Sequence, residues 1–482
     1  MAKNYFYNLL LTLTNLLFPI LSFPYVSRVL GPEGIGKVQF VFSFAQYFAL
    51  IASIGIPVYG MKEIARYKND KDGRSKIFSE LLLVYMITSV CLSVIYIAVI
   101  STFTYFAKDH NMYLAATLLV LLSFCYIEWL YIGMEEFKSI ALRSVLFKII
   151  GLILMYLFIK SRSDFTAYLF IMMFSFLGNN VLSLFLIGGK VQLVFSGLKL
   201  RKHIVPLLLI LGTTFATSIY TDMDTVLLGL LSDHKTVGLY TAAVKLSKVM
   251  IPFVTSMGII LIPKISKDFA ERNFSGVQEI IDEVFRFLSF FAVPVSFGLI
   301  ILTPELITLF SGPEFLPATN SMRLLSLLPL IIGFAHLFLN VTLIPSGRNK
   351  EMLFSVICGV LVSLSLNILL IPHLKEIGSS IALVCAELVS TLAYFYFIKK
   401  QFSFTYKWAL IGKSLVSSLI FVPAVAVSRG FSLQPILTLM IAFTACTIGY
   451  IAIQWFIFKN DFVLAIFNYA KGKLRLTEAG HE

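Results

Sequence analysis

Fourteen apolar stretches, each long enough to cross a bilayer, fill this chain from end to end, and the connections between them alternate between basic and nearly uncharged. A hydrocarbon core of ~30 Å takes roughly 20 apolar residues per helix. Backbone in lipid has no water to bond, so each crossing must close its own hydrogen bonds as a helix. The stretches lie at about 7–26, 38–59, 78–103, 112–132, 139–158, 165–187, 204–231, 237–262, 284–302, 324–343, 352–371, 378–398, 409–427 and 433–458. With 58% hydrophobic and 13% charged residues, the chain leaves no segment of ordinary domain size to fold in water. The prediction is an all-α polytopic membrane protein of about 14 transmembrane helices.

The Lys/Arg bias sets orientation. Lys62, Arg66, Lys68, Lys71, Arg74 and Lys76 follow the second stretch; Lys190, Lys199, Arg201 and Lys202 follow the sixth. Lys264, Lys267 and Arg272 follow the eighth, Lys399, Lys400 and Lys407 the twelfth, and Lys459, Lys471, Lys473 and Arg475 the last. Connections of the other parity hold one or two cations each. Both termini are therefore expected in the cytoplasm. The same bias accounts for the net charge of +13: these cations face anionic lipid headgroups, and nucleic acid is not an expected partner.

Several function classes drop out. Met1–Tyr7 lacks the charge of a secretory leader, so the first stretch reads as a retained helix. Cys91, Cys125, Cys358, Cys385 and Cys446 all fall inside apolar stretches without metal-ligand spacing, and the six histidines are scattered. No phosphate-binding loop or ATPase-sized segment is present. No cofactor is expected, and any transport would run on an ion gradient, the membrane potential or the substrate's own gradient. Asp222-Met223-Asp224 has the Asp-x-Asp spacing of metal-dependent glycosyltransferases. It sits inside an apolar helix with no catalytic domain after it.

Two stretches repeat each other. Leu30-Gly31, Gly36, a long apolar helix and Ile64-Ala65-Arg66 match Leu228-Gly229, Gly238, a similar helix and Ile265-Ser266-Lys267. Each joins the first two helices of a six-helix group that starts from the same side, as in parallel repeats of transporters. The expected organisation is a six-helix lobe over 1–200, a second over 201–400, and a final helix pair with tail over 401–482.

The first two helices of each group carry polar stripes. They hold Asn8, Thr12, Asn15 and Ser22; Gln39, Ser43, Gln46 and Ser53; Thr213, Thr217, Tyr220 and Asp224; and Thr241, Lys245, Lys248 and Thr255. Spacings of three or four place each set on one helical face. Hydroxyls often bond back to their own helix, so the amides and charges carry more of the argument. At ~1.5 Å per residue, Asp224 and Lys245 sit roughly 10–12 Å below the outer surface, level across one hairpin. A bare charge at that depth costs at least ~2.5–3.5 kcal/mol. An ion pair or a hydrated cavity receiving an anion would relieve it, and Asp222 is the partner within reach of Lys248. Glu128, beside Trp129, is a candidate coupling group or a helix-packing hydrogen bond, and Arg143 and Lys148 can snorkel toward the nearer surface. Asn179, Asn180 and Asn367 could cap or bridge helices.

The run Pro24-Tyr25-Val26-Ser27-Arg28-Val29-Leu30-Gly31-Pro32-Glu33-Gly34-Ile35-Gly36 resembles the loop after the first helix of bacterial polysaccharide repeat-unit flippases of the Wzx/RfbX type. These belong to the multidrug/oligosaccharidyl-lipid/polysaccharide exporter superfamily. Glu128-Trp129-Leu130-Tyr131-Ile132-Gly133-Met134-Glu135, Gly238-Leu239-Tyr240 with Lys245, and Asn367 to Pro372 with Gly378 and Glu387 are similar to further segments of that group. The resemblance implies a V-shaped two-lobed exporter fold with alternating access. It implies as substrate an oligosaccharide repeat unit on undecaprenyl pyrophosphate, flipped from the cytoplasmic to the outer leaflet for O-antigen, capsule or similar export. Membrane lipids and other polysaccharide assembly proteins are the implied partners.

A sugar pyrophosphate needs a hydrated cationic cavity, while its prenyl tail stays in lipid. On that ground Arg28, Lys245 and Lys248 are candidates for the pyrophosphate. Arg66 and Arg143 are candidates at the cytoplasmic entrance, and Asn8, Asn15, Gln39 and Gln46 for sugar hydroxyls. Asp222, Asp224 and Glu128 are the coupling or ion-pair candidates. An ion-coupled multidrug antiporter would want an acidic cavity; a lipid II flippase would share the cationic one. A polymerase or sugar transferase would need catalytic residues on a large outer loop, where 303–323 offers only Glu305 and Glu314.

Overall fold

The computed structural model describes residues 2–431 and 434–460, apart from the side chains of residues 2–5, 213 and 220–222. The tail cations Lys471, Lys473 and Arg475 lie outside the described residues. No strand occurs among the described residues.

Helix α1 (Ala2–Ser53) runs for 52 residues, roughly twice a bilayer's thickness at ~1.5 Å each. It breaks at Gly31, whose φ of 68° and ψ of 179° no side-chain-bearing residue adopts cheaply. Pro32 follows and cannot donate back into the first limb. One helix therefore crosses twice, with the break inside the Leu30-Gly31-Pro32 signature.

After the short α2 (Ile56–Arg66) come α3 (Lys71–Thr102), α4 (His110–Leu121), α5 (Glu128–Gly133), α6 (Phe137–Phe158) and α7 (Phe165–Phe185). Asp70 caps α3 by accepting from the Asp72 and Gly73 amides. Helices α8 (Arg201–Asp222) and α9 (Asp224–Leu231) make one crossing interrupted at Met223. Then α10 (His234–Lys248) and α11 (Ile251–Ala270) form a pair bent by 41°. Pro252 stands in the first turn of α11, so the α10 ladder cannot run on through it.

The chain continues through α12 (Phe274–Ile301), α13 (Thr303–Ser311), α14 (Thr319–Leu325) and α15 (Leu328–His336), which leads into a π-helical turn at Leu337–Leu343. Helix α16 (Asn349–Gln401) has 53 residues and a break at Lys375, with φ 50° and ψ −126°. The last helices are α17 (Ala409–Ser418), α18 (Phe421–Gly430) and α19 (Pro435–Phe456).

Eleven helices among the described residues are long and apolar enough to span a membrane, and the bent α10–α11 pair makes a twelfth. Two of the eleven, Phe6–Ser53 and Asn349–Gln401, are each divided by a break into two limbs. Fourteen, the number expected from sequence, is reached by counting each limb as its own segment. The protein is a multi-pass membrane protein.

The chain forms two compact units, Met1–Thr241 and Ala242–Glu482. The first extends past residue 200 because α8 and α9 lie along the second limb of α1. Tyr47 Oη donates to the Ser218 carbonyl at 2.7 Å, Tyr105 Oη donates to the Gly229 carbonyl, and Ile210 packs at Gly55. Its inner core gathers Phe78, Trp129, Tyr131, Ile140 and Leu207. In the second unit, Phe290 and Leu302 pack with Phe421, Val425, Leu439 and Tyr450, seating the final helices on α12.

Candidate functional site

Polar groups of the first unit lie on the first limb of α1 and on α5, α6 and α7. Lys148, half-buried on α6, donates to Asn15 Oδ1 on α1. One turn and a half earlier on α6, the Arg143 guanidinium is only 4% exposed and lies 4.4 Å from the centre of the Tyr131 ring. Its Nη1 donates to Ser139 Oγ at 3.1 Å, while Nε and Nη2 find no hydrogen-bond partner among the described residues. The Tyr131 ring is fixed in turn by its hydroxyl, which donates to the Ser183 carbonyl at 2.7 Å. Glu128 accepts from Asn179 Nδ2 at 3.2 Å, tying α5 to α7, and it is the acid close enough to act on Lys148.

The arrangement holds the cations Arg143, Lys148 and Lys190, with Glu128 near Lys148 and Glu136 paired to Lys190. A guanidinium over an aromatic face gains from the ring's quadrupole. Two buried guanidinium nitrogens without acceptors still leave a desolvation cost that an incoming oxyanion would remove. Arg143 stays inside the helix bundle, held by the Tyr131 ring, and does not snorkel to a surface.

The other candidate residues are placed as follows. Asn8 is exposed on α1, and its carbonyl accepts from Thr12. Gln39 donates to Ser43 at 3.1 Å along its own helix, and Gln46 is half-buried. Arg28 is exposed near the Gly31 break and donates back to the Pro24 carbonyl at 2.6 Å. Arg66 stands at the far end of the second limb's extension, 72% exposed and paired with Glu63. Asn15 and Glu128 thus gather at Lys148, an unforeseen partner, while Arg143 lies a turn and a half away on α6 against Tyr131. Arg28, Gln39 and Arg66 are spread along the unit's height.

The stripe hydroxyls are mostly absorbed by their own helices: Thr12, Ser22, Ser53, Thr241 and Thr255 each donate to a carbonyl three or four residues back. Asp224 is 2% exposed at the first turn of α9 and accepts from Tyr240 Oη at 2.8 Å. A carboxylate there complements the helix N-terminus. The side chains of Asp222, Thr213 and Tyr220 lie outside the described residues. In the second unit, Lys245 and Lys248 occupy the last turn of α10, at the bend. Cations at a helix end inside a span complement the carbonyls released there.

Sequence reading missed a second polar cluster. Glu80 on α3 has no exposed surface. Its Oε2 takes Lys202 Nζ and His203 Nε2, each at 2.8 Å, and its Oε1 accepts the Lys199 amide at 2.8 Å. The other nitrogen of His203 meets Tyr59 Oη at 2.9 Å. The only signal was a lone acid within an apolar stretch and a lone histidine just before another.

Comparison with known proteins agrees with this architecture. The family model "Polysaccharide biosynthesis protein" matches residues 1–269, and that of "Lipid II flippase MurJ" matches 237–446. A Shigella dysenteriae protein named "Putative O-antigen transporter" is 26% identical over 374 residues, covering 76% of this chain and 91% of the relative. An Escherichia coli protein of the same name is 24% identical over 377 residues, covering 76% and 88%. Among solved structures, a lipid II flippase MurJ in an inward closed conformation superposes with a TM-score of 0.72 at 15% identity, over 94% of this chain and 99% of that one. An inward-facing multidrug resistance transporter of the MATE family gives 0.64 at 16% identity, over 80% and 94%. The fold is that of the multidrug/oligosaccharidyl-lipid/polysaccharide exporter superfamily, and the chain belongs to the polysaccharide biosynthesis protein family.

Proposed function

We propose that this protein is a flippase that carries a lipid-linked oligosaccharide, an undecaprenyl-pyrophosphate-linked repeat unit, from the cytoplasmic to the outer leaflet of the bacterial inner membrane by alternating access. The observation that carries the reading is the buried Arg143 guanidinium, with two of its nitrogens lacking acceptors among the described residues, on the same helix as Lys148, which donates to Asn15. A polar headgroup bearing a pyrophosphate would supply those acceptors. The names of the relatives support the oligosaccharide part, and the Lys/Arg bias supports cytoplasmic termini.

In this reading Arg143, Lys148, Arg28, Lys245 and Lys248 meet the pyrophosphate as it crosses, with Arg66 at the cytoplasmic entrance. Asn8, Asn15, Gln39 and Gln46 meet sugar hydroxyls. Asp222, Asp224 and Glu128 hold or exchange the balancing charge. Membrane lipids surround the prenyl tail, and other polysaccharide assembly proteins receive the product. The match to the MurJ family over 237–446 favours lipid II as the second substrate to consider.

The test is the leaflet distribution of lipid-linked oligosaccharide in a strain lacking the gene, complemented with wild type, Arg143→Gln, Lys245→Ala or Lys248→Ala. Build-up on the inner leaflet that wild type clears, and that Arg143→Gln does not clear at equal membrane abundance, supports the proposal. Normal surface polysaccharide with lipid II build-up moves the assignment to lipid II. No build-up of either rejects a flippase.

A further inference from the structure

The second unit holds a basic pocket built from residues outside the proposed substrate path. Arg286 on α12, Lys407 just before α17, Lys413 on α17 and Lys459 just after α19 converge on one cavity of about 120 Å³. That is many times the ~10–15 Å³ one water needs. Asp282 pairs with Lys407 at 2.8 Å. Among the described residues Arg286, Lys413 and Lys459 have no ion pair, so four cations face one carboxylate.

The floor of the pocket adds a separate observation. Ser289 lines it, is 1% exposed, and its hydroxyl finds no hydrogen-bond partner among the described residues. A buried hydroxyl left unbonded costs free energy unless an acceptor reaches it. An acceptor lying below four cations is most simply an oxygen of an anion. Apolar surface stands beside the charge: Lys413 Nζ lies 5.8 Å from the Phe458 ring centre, and Leu415, Val416, Phe456 and Ile457, next in sequence to lining residues Ser414 and Phe458, are exposed.

We propose that this pocket binds the phosphate headgroup of an anionic phospholipid, seated between α12 and the final helices with its acyl chains along the exposed apolar residues. The chemistry shared with inorganic phosphate is a tetrahedral oxyanion; the apolar rim and the place of the pocket, where α17 begins and α19 ends, select the lipid. Clusters of Lys/Arg at the membrane surface recognise such headgroups through charge, at roughly five-fold in affinity per cation. The final helix pair then has a task of its own, holding a lipid against α12. The inference does not rest on the flippase reading.

The full chain, purified in neutral detergent, would be examined by native mass spectrometry with phosphatidylglycerol, with phosphatidylcholine of the same acyl chains, or with inorganic phosphate. The expected result is retention of phosphatidylglycerol at least about five-fold over phosphatidylcholine, with no matching retention of phosphate. Arg286→Ala, Lys413→Ala and Lys459→Ala should each reduce that preference about five-fold. Ser289→Ala should reduce it less, Lys413→Arg should preserve it, and Lys267→Ala, exposed elsewhere in the unit, should leave it intact. Equal retention of the two lipids, or a triple alanine variant that melts like wild type and keeps its preference, overturns the proposal. So does binding of phosphate without phosphatidylglycerol. Equal losses from Lys413→Arg and Lys413→Ala would show that charge is not the cause, and would overturn it as well.

Discussion

Gly36 and Gly238 meet backbone to backbone in the first unit. A methyl group on Gly36 would stand 2.6 Å from the Gly238 amide nitrogen and would overlap the His234 carbonyl; one on Gly238 would overlap the carbonyl of Pro32. These are the equivalent glycines of the two repeated segments, so each repeat closes against the other at the same point. Around this contact Lys37 pairs with Asp109 at 3.0 Å, and the Phe40 ring covers Gly229.

Because the overlap is with backbone, no side chain can swing away to make room. Gly36→Ala and Gly238→Ala should each destabilise the purified protein by roughly 1–3 kcal/mol, the cost of overpacking. Thermal unfolding in detergent would read this as a lowered midpoint, and the double variant should lose less than the sum because both strain one contact. Unchanged midpoints for both single variants would mean that the helices separate easily here.

The Glu80 cluster makes the opposite kind of prediction, since removal is what hurts. Glu80→Ala would leave Lys202, His203 and the Lys199 amide without their shared acceptor, with Glu80 and His203 fully buried and Lys202 reaching in from the surface. Breaking a buried ionic network from one side costs about 3–5 kcal/mol. Tyr59→Phe removes one neutral hydrogen bond to His203 and should cost about 0.5–1.5 kcal/mol. A double-mutant cycle between Tyr59→Phe and Glu80→Gln should show coupling, because one imidazole ring serves both residues. Strict additivity would show that Tyr59, His203 and Glu80 do not form one connected network.

Much of the fold was legible in the sequence because bilayer thickness sets the length of every span. The crossing at Gly31 could be read from Leu-Gly-Pro, which allows positive φ and then withholds a donor. The bend at residues 249–250 was equally written, in Pro252, yet a hydropathy window averages over one proline and reads 237–262 as a single helix. The polar cluster was harder. Asn15 and Lys148 are 133 residues apart, and Glu80 and His203 are 123 apart. No periodicity on one helix reports a contact made across the bundle. In the sequence Lys148 reads as a snorkelling cation, because its partner, an amide on α1, carries no charge to signal the pair.

For the candidate site, charge geometry should matter more than charge. Arg143→Lys keeps the cation but loses the planar face on Tyr131 and the fork of donors. Transport, measured as clearance of inner-leaflet lipid-linked oligosaccharide, should fall at least ten-fold in Arg143→Lys and further in Arg143→Gln, at matched membrane abundance. Lys148→Ala should fall less if Asn15 then bonds to water. Wild-type clearance by Arg143→Lys would reduce Arg143 to a point charge.

Arg429 and Glu305 offer a test of how the final helices are held. The pair is bidentate, with Nε to Oε1 at 2.6 Å and Nη2 to Oε2 at 3.0 Å, and Nη2 also donates to the Ile301 carbonyl at 2.9 Å. One side chain on α18 thus fastens both the end of α12 and the start of α13. Lysine cannot supply two parallel donors together with a third bond, so Arg429→Lys should lose about 1 kcal/mol, in the range of well-formed surface pairs. Glu305→Gln should lose a similar amount, and the exchanged double variant Glu305→Arg with Arg429→Glu should recover part of it. The Ile301 carbonyl would not return to a donor in the exchanged form, so full recovery would show that the ion pair alone, without the backbone bond, secures α18. Melting midpoints of the four proteins at low and at high salt separate the two terms: the ion-pair part shrinks with salt, and the backbone bond does not.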